Sequence, residues 1–295
     1  MKKNFYYLSL ILGLVLGMTM FTACGGGDDD NGGASGGGTS GGGAGGFTPG
    51  KFMGPKRVFG DNLLSSYGGS SSGRELTYDS NGFVTSIKNY KIDANNQKIY
   101  SGNEYKVSYS DNQVIVTYSR ASGNDRQYTF TIGNNGFAES WTTDGKYGIA
   151  KVKCDYDSDG HLTKLTHYER GEDQPLTFTG TFTWQNGNMV ESSSDDGTYR
   201  TYSVSYNSTS NVTGLFIEAH LGGDMGDLYE EEFHYIGLLG KGTANLVSSS
   251  GRSGESTTYE NSWTLDDAGR PIKCVTTTKS GSGTPTTSTY FWTYR

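Results

Sequence analysis

Three groups of residues in this 295-residue chain have types and spacings that could do chemistry. Asp155, Asp157, Asp159 and Gly160 open as a calcium loop does, with a carboxylate at every second position and a glycine for the sharp turn. The twelfth position of such a loop is Thr166 here, where a bidentate glutamate is needed, and the sister turns Asp79 to Gly82 and Asp266 to Gly269 lack the acid set. The group is therefore read as a hairpin turn without a metal. Glu231 and His234 have the E-x-x-H spacing of di-metal bundle sites, but those sites need a second such motif and further carboxylates. The four histidines (His161, His167, His220 and His234) form no compact cluster in the sequence, so no metal and no other cofactor is expected.

The third group is acidic. Asp195 and Asp196, or Asp224, Asp227 and Glu230, could supply the two carboxylates of a glycosidase, a chemistry that depends on a separation of about 5 Å or about 6.5 to 9.5 Å in space. Exposed acids ordinarily serve solvation. No G-x-S-x-G elbow and no phosphate-cradling loop before a helix occurs, so no catalytic residue is assigned.

The elements that would have to position these residues begin with an address. Lys2 and Lys3 precede an apolar run from Phe5 to Phe21, which ends at Thr22-Ala23-Cys24 and passes into Gly25-Gly26-Gly27-Asp28-Asp29-Asp30. A positive start and an apolar stretch of roughly 15 residues describe a secretory signal, since a membrane-spanning helix needs about 20. The junction resembles the bacterial lipoprotein signal, which implies that residues 1–23 are removed and that Cys24 is lipidated. The triple aspartate resembles the acidic export tag of Bacteroidetes surface lipoproteins. That resemblance implies an outer-membrane lipoprotein exposed at the cell surface, with a periplasm-facing one as the alternative.

Without residues 1–23 the chain carries 22 basic against 31 acidic residues, a formal charge of -9. Such a chain is repelled by phosphate backbones and anionic headgroups, so nucleic acid is excluded as a partner and the lipid must provide the membrane attachment. Residues 24–50 are read as the lipidated cysteine and a disordered Gly/Ser tether, whose glycine-rich coil spans roughly 25 Å. Residues 51–295 are read as one all-β domain. Inside it Cys154 and Cys274 lie 120 residues apart with nothing local to join them, and a buried free thiol is the simpler reading.

One pattern repeats through this domain: alternating aromatic or β-branched residues, a polar turn with Gly or Asn, then apolar residues again. It runs as Leu76-Thr77-Tyr78-Asp79-Ser80-Asn81-Gly82-Phe83-Val84, as Cys154-Asp155-Tyr156-Asp157-Ser158-Asp159-Gly160-His161-Leu162, and as Trp263-Thr264-Leu265-Asp266-Asp267-Ala268-Gly269-Arg270-Pro271-Ile272. Period-2 alternation places each aromatic set on one face of a strand, and Asp, Asn and Gly allow the reversal, so each unit is a β-hairpin. Weaker copies lie between these. The last strand, Tyr290, Trp292 and Tyr294, looks like half a unit and is expected to pair into the sheet.

The turns Tyr78-Asp79-x-x-Gly82 and Tyr156-Asp157-x-x-Gly160 resemble the tyrosine-aspartate (YD) repeats of RHS proteins, which form large curled antiparallel sheets. With the lipoprotein signal and the segment from Tyr235 through Gly237-Leu238-Leu239-Gly240-Lys241-Gly242 to Leu246, the chain is similar to a Bacteroidetes lipoprotein family of unknown function, number 4595, over most of residues 56–295. The expected fold is thus all-β, a large curled antiparallel sheet of repeated hairpins. Gly222 to Ser250 interrupts it as a loop or a short helix closing an open end of the sheet.

The family resemblance carries no chemistry. A tethered, acidic, tyrosine-rich sheet suits a non-catalytic binding or structural module on the surface, with a glycan or an envelope protein as partner. The competing expectation is a carbohydrate-active enzyme using acids of the 222–232 insertion.

Overall fold

The computed structural model describes residues 52–295, apart from 111, 124, 144–150, 169–175, 196–200 and 216–229 and the side chains of 176 and 177. Cys24, the tether, Asp196, His220, Asp224 and Asp227 therefore lie outside the described residues. Within them run β1 (Leu64–Gly69), β2 (Ser72–Tyr78), β3 (Val84–Ile92), β4 (Lys98–Tyr109), β5 (Gln113–Ser119), β6 (Arg126–Ile132), β7 (Ala138–Thr143) and β8 (Lys151–Tyr156). They continue with β9 (Leu162–Tyr168), β10 (Leu176–Gln185), β11 (Asn188–Ser194), β12 (Tyr202–Ser210), β13 (Asn245–Arg252), β14 (Thr257–Leu265), β15 (Pro271–Ser280) and β16 (Thr286–Tyr294). Two short helices complete the set, α1 (Lys56–Phe59) and α2 (Glu232–Ile236).

Each strand pairs with its neighbours in sequence, and β1 pairs antiparallel with β16 through Tyr67 opposite Trp292 and Gly69 opposite Tyr290. The sheet therefore closes into a 16-strand barrel, which corrects the expectation of an open curled sheet. The last strand pairs as expected, but its partner is the first strand, so no edge remains.

Alternation puts one residue set inside. Residues opposite one another share a face, and the series Trp292, Tyr67, Arg74 and Asn89 runs across β16, β1, β2 and β3 on the inner side. Further round, Ile87, Tyr105 and Tyr118 form one inner row, and Val114, Phe130, Trp141 and Val152 form another. Most of these belong to a single apolar core that also includes Phe59 of α1 and Phe233 and Ile236 of α2.

The outer side is polar. It carries Thr258, Glu260, Ser262 and Thr264 on β14, Thr287, Thr289 and Thr293 on β16, Gln127, Thr129 and Thr131 on β6, and Lys88, Glu104 and Lys106 on β3 and β4. Exposed large apolar residues among the described ones, such as Ile99, Leu265 and Phe291, are scattered.

Turn chemistry explains the repeat. The Asp79 carboxylate accepts the backbone N–H groups of Asn81 and Phe83, Asp157 those of Asp159 and His161, and Asp266 those of Ala268 and Arg270. The glycine after each, Gly82, Gly160 and Gly269, holds the positive φ that closes the turn.

In the even-numbered strands other than β6, an aromatic residue clasps the preceding odd-numbered strand. Tyr78 donates its hydroxyl to the Leu64 carbonyl at 2.7 Å, Tyr109 to Val84 at 2.6 Å, Tyr156 to Ala138 at 2.8 Å, Tyr206 to Met189 at 2.6 Å and Tyr294 to Pro271 at 2.8 Å. Trp184 and Trp263 do the same with their indole N–H groups, toward Leu162 and Val247. All these clasps lie at one end of the barrel.

The described parts of the 211–244 connection, residues 211–215 and 230–244, meet the barrel at that same end. Gly237 ends α2 in the left-handed conformation, and a Cβ on Gly240 would lie 2.6 Å from the Gly160 carbonyl, so the strand turn and the insertion meet backbone to backbone. Lys241 donates its N–H to the Gly160 carbonyl at 3.0 Å, and Ala138 donates to Leu238 at 2.9 Å. The Gly-Leu-Leu-Gly-Lys-Gly segment is the seam between plug and wall. The expected closing helix is present in its described part, while Asn245–Arg252, expected within the interruption, is strand β13.

Candidate functional site

α2 presents opposite chemistries at its two ends. Phe233 sets its ring edge-on to Tyr128, Phe130 and Trp141, at centroid distances of 4.9, 4.8 and 5.8 Å. The residues at its start are Glu230, Glu231 and Glu232, of which Glu230 was expected as a solvated acid. Instead they face barrel side chains. Glu232 is 1% exposed and ion-paired with Arg74 of β2. Glu230 accepts the Tyr128 hydroxyl at 2.8 Å and the Tyr105 hydroxyl at 3.0 Å, with Arg126 at 3.5 Å.

Glu231 accepts only the Tyr235 hydroxyl, at 3.2 Å. It borders a cavity of about 250 Å³ between β1, β2, β16 and α2, lined also by Tyr67, Arg74, Tyr235, Tyr290 and Trp292. Gly68, Gly69 and Ser72 complete the lining, which places the cavity toward the end away from the clasps.

Burial raises the Glu231 carboxyl to about 7 and the neighbouring Glu232 adds to it, while Arg74 and the Tyr235 hydrogen bond oppose the shift. His234, three residues on, is turned toward Phe59 of α1, edge-on at 5.4 Å, and burial lowers its imidazole to about 4. The E-x-x-H pair is therefore divided: Glu231 faces the cavity and His234 the packed interior.

The other expected positions make mainly local contacts. Asp157 spends one carboxylate oxygen on two turn N–H groups and the other on His161 Nδ1 at 2.9 Å. Asp157, Asp159 and His161 do bring one ligand-type atom each within 4.8 Å of one another, but Asp155 is on the strand before them and Thr166 is on β9. His161 stacks on Trp184 and His167 on Phe178. Asp195 accepts the Thr179 N–H at 2.7 Å. Cys154 and Cys274 are free and buried, and burial raises both thiols, so both stay protonated.

A barrel of hairpins with an inserted plug also has relatives. A family model described as a domain of unknown function (DUF4595) with porin-like fold matches residues 76–273. The chain belongs to this family. Among solved structures, a porin-like protein from Bacteroides uniformis ATCC 8492 is 16% identical with a TM-score of 0.65, covering 84% of this chain and 100% of that one. A porin-like protein from Bacteroides vulgatus ATCC 8482 is 14% identical with a TM-score of 0.45, covering 80% of this chain and 99% of that one. No curated protein matches. At these identities the likeness concerns fold alone, and the family's porin-like barrel is the one described above.

Sequence reasoning missed Tyr67, Arg74, Tyr290 and Trp292 as neighbours of Glu231. One signal was available. Arg74 stands two residues before Leu76 and thus on the apolar side of its strand, and a charge on that side needs a partner inside.

Proposed function

We propose that this DUF4595 protein is a lipid-anchored barrel that works in water as a non-catalytic binding module, and neither crosses a membrane nor conducts through it. The observation that carries this reading is the direction of its wall. A membrane-spanning barrel turns an apolar band about 25 Å tall outward and keeps its lumen polar. Here Ser, Thr, Lys and Glu face outward and the apolar residues pack inside against α1 and α2. Attachment through acylated Cys24 at the outer membrane, facing the surface or else the periplasm, is consistent with such a wall. A glycan or an envelope protein is the partner class, and nucleic acid is disfavoured by the negative charge.

The competing reading is a carbohydrate-active enzyme using acids of the 222–232 insertion. Against it, Glu230 is held by Tyr105, Tyr128 and Arg126, and Glu232 by Arg74, which leaves Glu231 as the one carboxyl lining the cavity among the described residues, Asp224 and Asp227 lying outside them. A glycosidase needs two.

Cys24→Ser tests the lipid anchor in cells. The variant is expected to leave the membrane fraction for the soluble one, and the full chain is expected to give no conductance in a planar bilayer. Retention of the variant in the membrane, or channel openings, would defeat the reading. Incubating the protein with a glycan panel tests the enzyme alternative, which any hydrolysed product would establish.

A further inference from the structure

The cavity beside Glu231 has a charge defect. Three consecutive carboxyls, Glu230, Glu231 and Glu232, meet two guanidinium groups, Arg126 on the first and Arg74 on the last. The middle carboxyl has a single tyrosine hydrogen bond and no ion pair. A second, independent defect lies beside it. Tyr67 lines the same cavity, is 4% exposed, and its buried hydroxyl has no hydrogen-bond partner although it lies among Glu232, Arg74 and Glu231. A buried hydroxyl left unpaired costs free energy that a ligand can recover.

The large side chains of the remaining wall are aromatic: Tyr235, whose ring centroid is 4.1 Å from that of Tyr67, with Tyr290 and Trp292 of β16. Aromatic faces around one uncompensated carboxylate attract a cation and cover its methylene groups.

We propose that this cavity binds a small primary alkylammonium, whose nitrogen donates to the Glu231 carboxylate and to the Tyr67 oxygen while its carbon chain lies against Tyr290 and Trp292. Three N–H donors on one tetrahedral centre match these two acceptors, which a quaternary ammonium or a neutral sugar hydroxyl does not. The groups that face Glu231 are Tyr67 from β1, Arg74 from β2, Tyr290 from β16, and Glu232 and Tyr235 from α2 itself. Arg74 is already taken by Glu232, so an incoming ammonium is the cation that Glu231 lacks. Because the carboxyl is held near neutral pH, binding requires it to ionise and is favoured on the alkaline side. The inference rests on the binding-module reading and names its ligand class.

Titration calorimetry of the purified full chain with n-butylammonium, 1-butanol, tetramethylammonium and glucose tests it. Butylammonium alone is expected to bind, at least ~10-fold more tightly at about pH 8.5 than at about pH 5.5 as the carboxyl ionises. Glu231→Gln should abolish binding while circular dichroism and melting show the barrel intact, and Tyr67→Phe should weaken it several-fold. Equal binding of 1-butanol, tetramethylammonium or glucose would overturn the assignment, as would undiminished binding in Glu231→Gln or no heat from butylammonium at any pH. Those results leave the water-facing barrel standing. Bilayer conductance would bring that down without touching the ammonium site.

Discussion

The two ends of this barrel use the same strands for different purposes. At the packed end, carboxylates close turns, aromatic hydroxyls and indoles clasp neighbouring strands, and α1 and the later part of α2 fill the lumen with apolar groups. Toward the other end the inner wall turns polar, with Arg74, Arg126, Tyr105 and Tyr128 gathered around the three glutamates. At the packed end the turn aspartates and the clasping tyrosines and tryptophans find backbone partners along their own hairpin, whereas the glutamates find theirs across the lumen. Local pairing gives rigidity, and long-range pairing leaves Glu231 and Tyr67 incompletely satisfied. That difference makes the second region the candidate site.

Breaking the packed end should have the largest effect. Phe233 is fully buried among Tyr128, Phe130 and Trp141, and Phe233→Ala is expected to cost about 3–5 kcal/mol in urea unfolding. A loss below ~1 kcal/mol would mean that α2 is not part of the cooperative core.

A smaller effect is expected where charges pair. Glu232→Ala strands Arg74 beside buried groups and should cost about 3 kcal/mol, while adding Arg74→Met should recover part of that loss. Additive losses would show that the two side chains do not sense one another.

The smallest and sharpest comparison is in pH, because the two ends carry groups shifted in opposite directions. Glu231 is raised from 4.5 to about 7, so the folded state keeps a proton that the unfolded state releases, and stability from this group falls as pH rises from about 4.5 to 7. His234 is lowered from 6.5 to about 4, so its contribution falls as pH drops from about 6.5 to 4. The two slopes, each up to roughly 3 kcal/mol in total, oppose one another in the native protein. Glu231→Gln should expose the acid-side loss and His234→Gln the alkaline-side loss, measured as urea midpoints between about pH 4 and 8. Identical pH profiles in both variants would refute the opposed shifts.

Much of the wall was legible in the sequence. Tyr78-Asp79-x-x-Gly82 and its sisters announced hairpins, and the alternation of Tyr290, Trp292 and Tyr294 announced a terminal strand. Closure was not legible, because alternation tells which face a residue occupies but not how far a sheet curls before its ends meet, and Tyr67 and Trp292 are remote in sequence. The Gly-Leu-Leu-Gly-Lys-Gly segment stood out as distinctive, yet its purpose, contact between Gly240 and the Gly160 turn, exists only across the lumen. Glu230 was misjudged as solvated, and the pairing of Glu232 went unseen, for the same reason, since Arg126 and Arg74 lie more than a hundred residues upstream.

Where the chain enters the barrel gives the molecule a direction. Phe52, the first described residue, stacks on Tyr109 at 5.4 Å and packs beside Phe83, next to the turns of the packed end. Phe52 thus packs at the rim where Tyr78, Tyr109 and Tyr294 bind strand to strand. The cavity beside Glu231, lined by Gly68, Gly69 and Ser72 at the β1–β2 turn, lies toward the opposite end of the hoop.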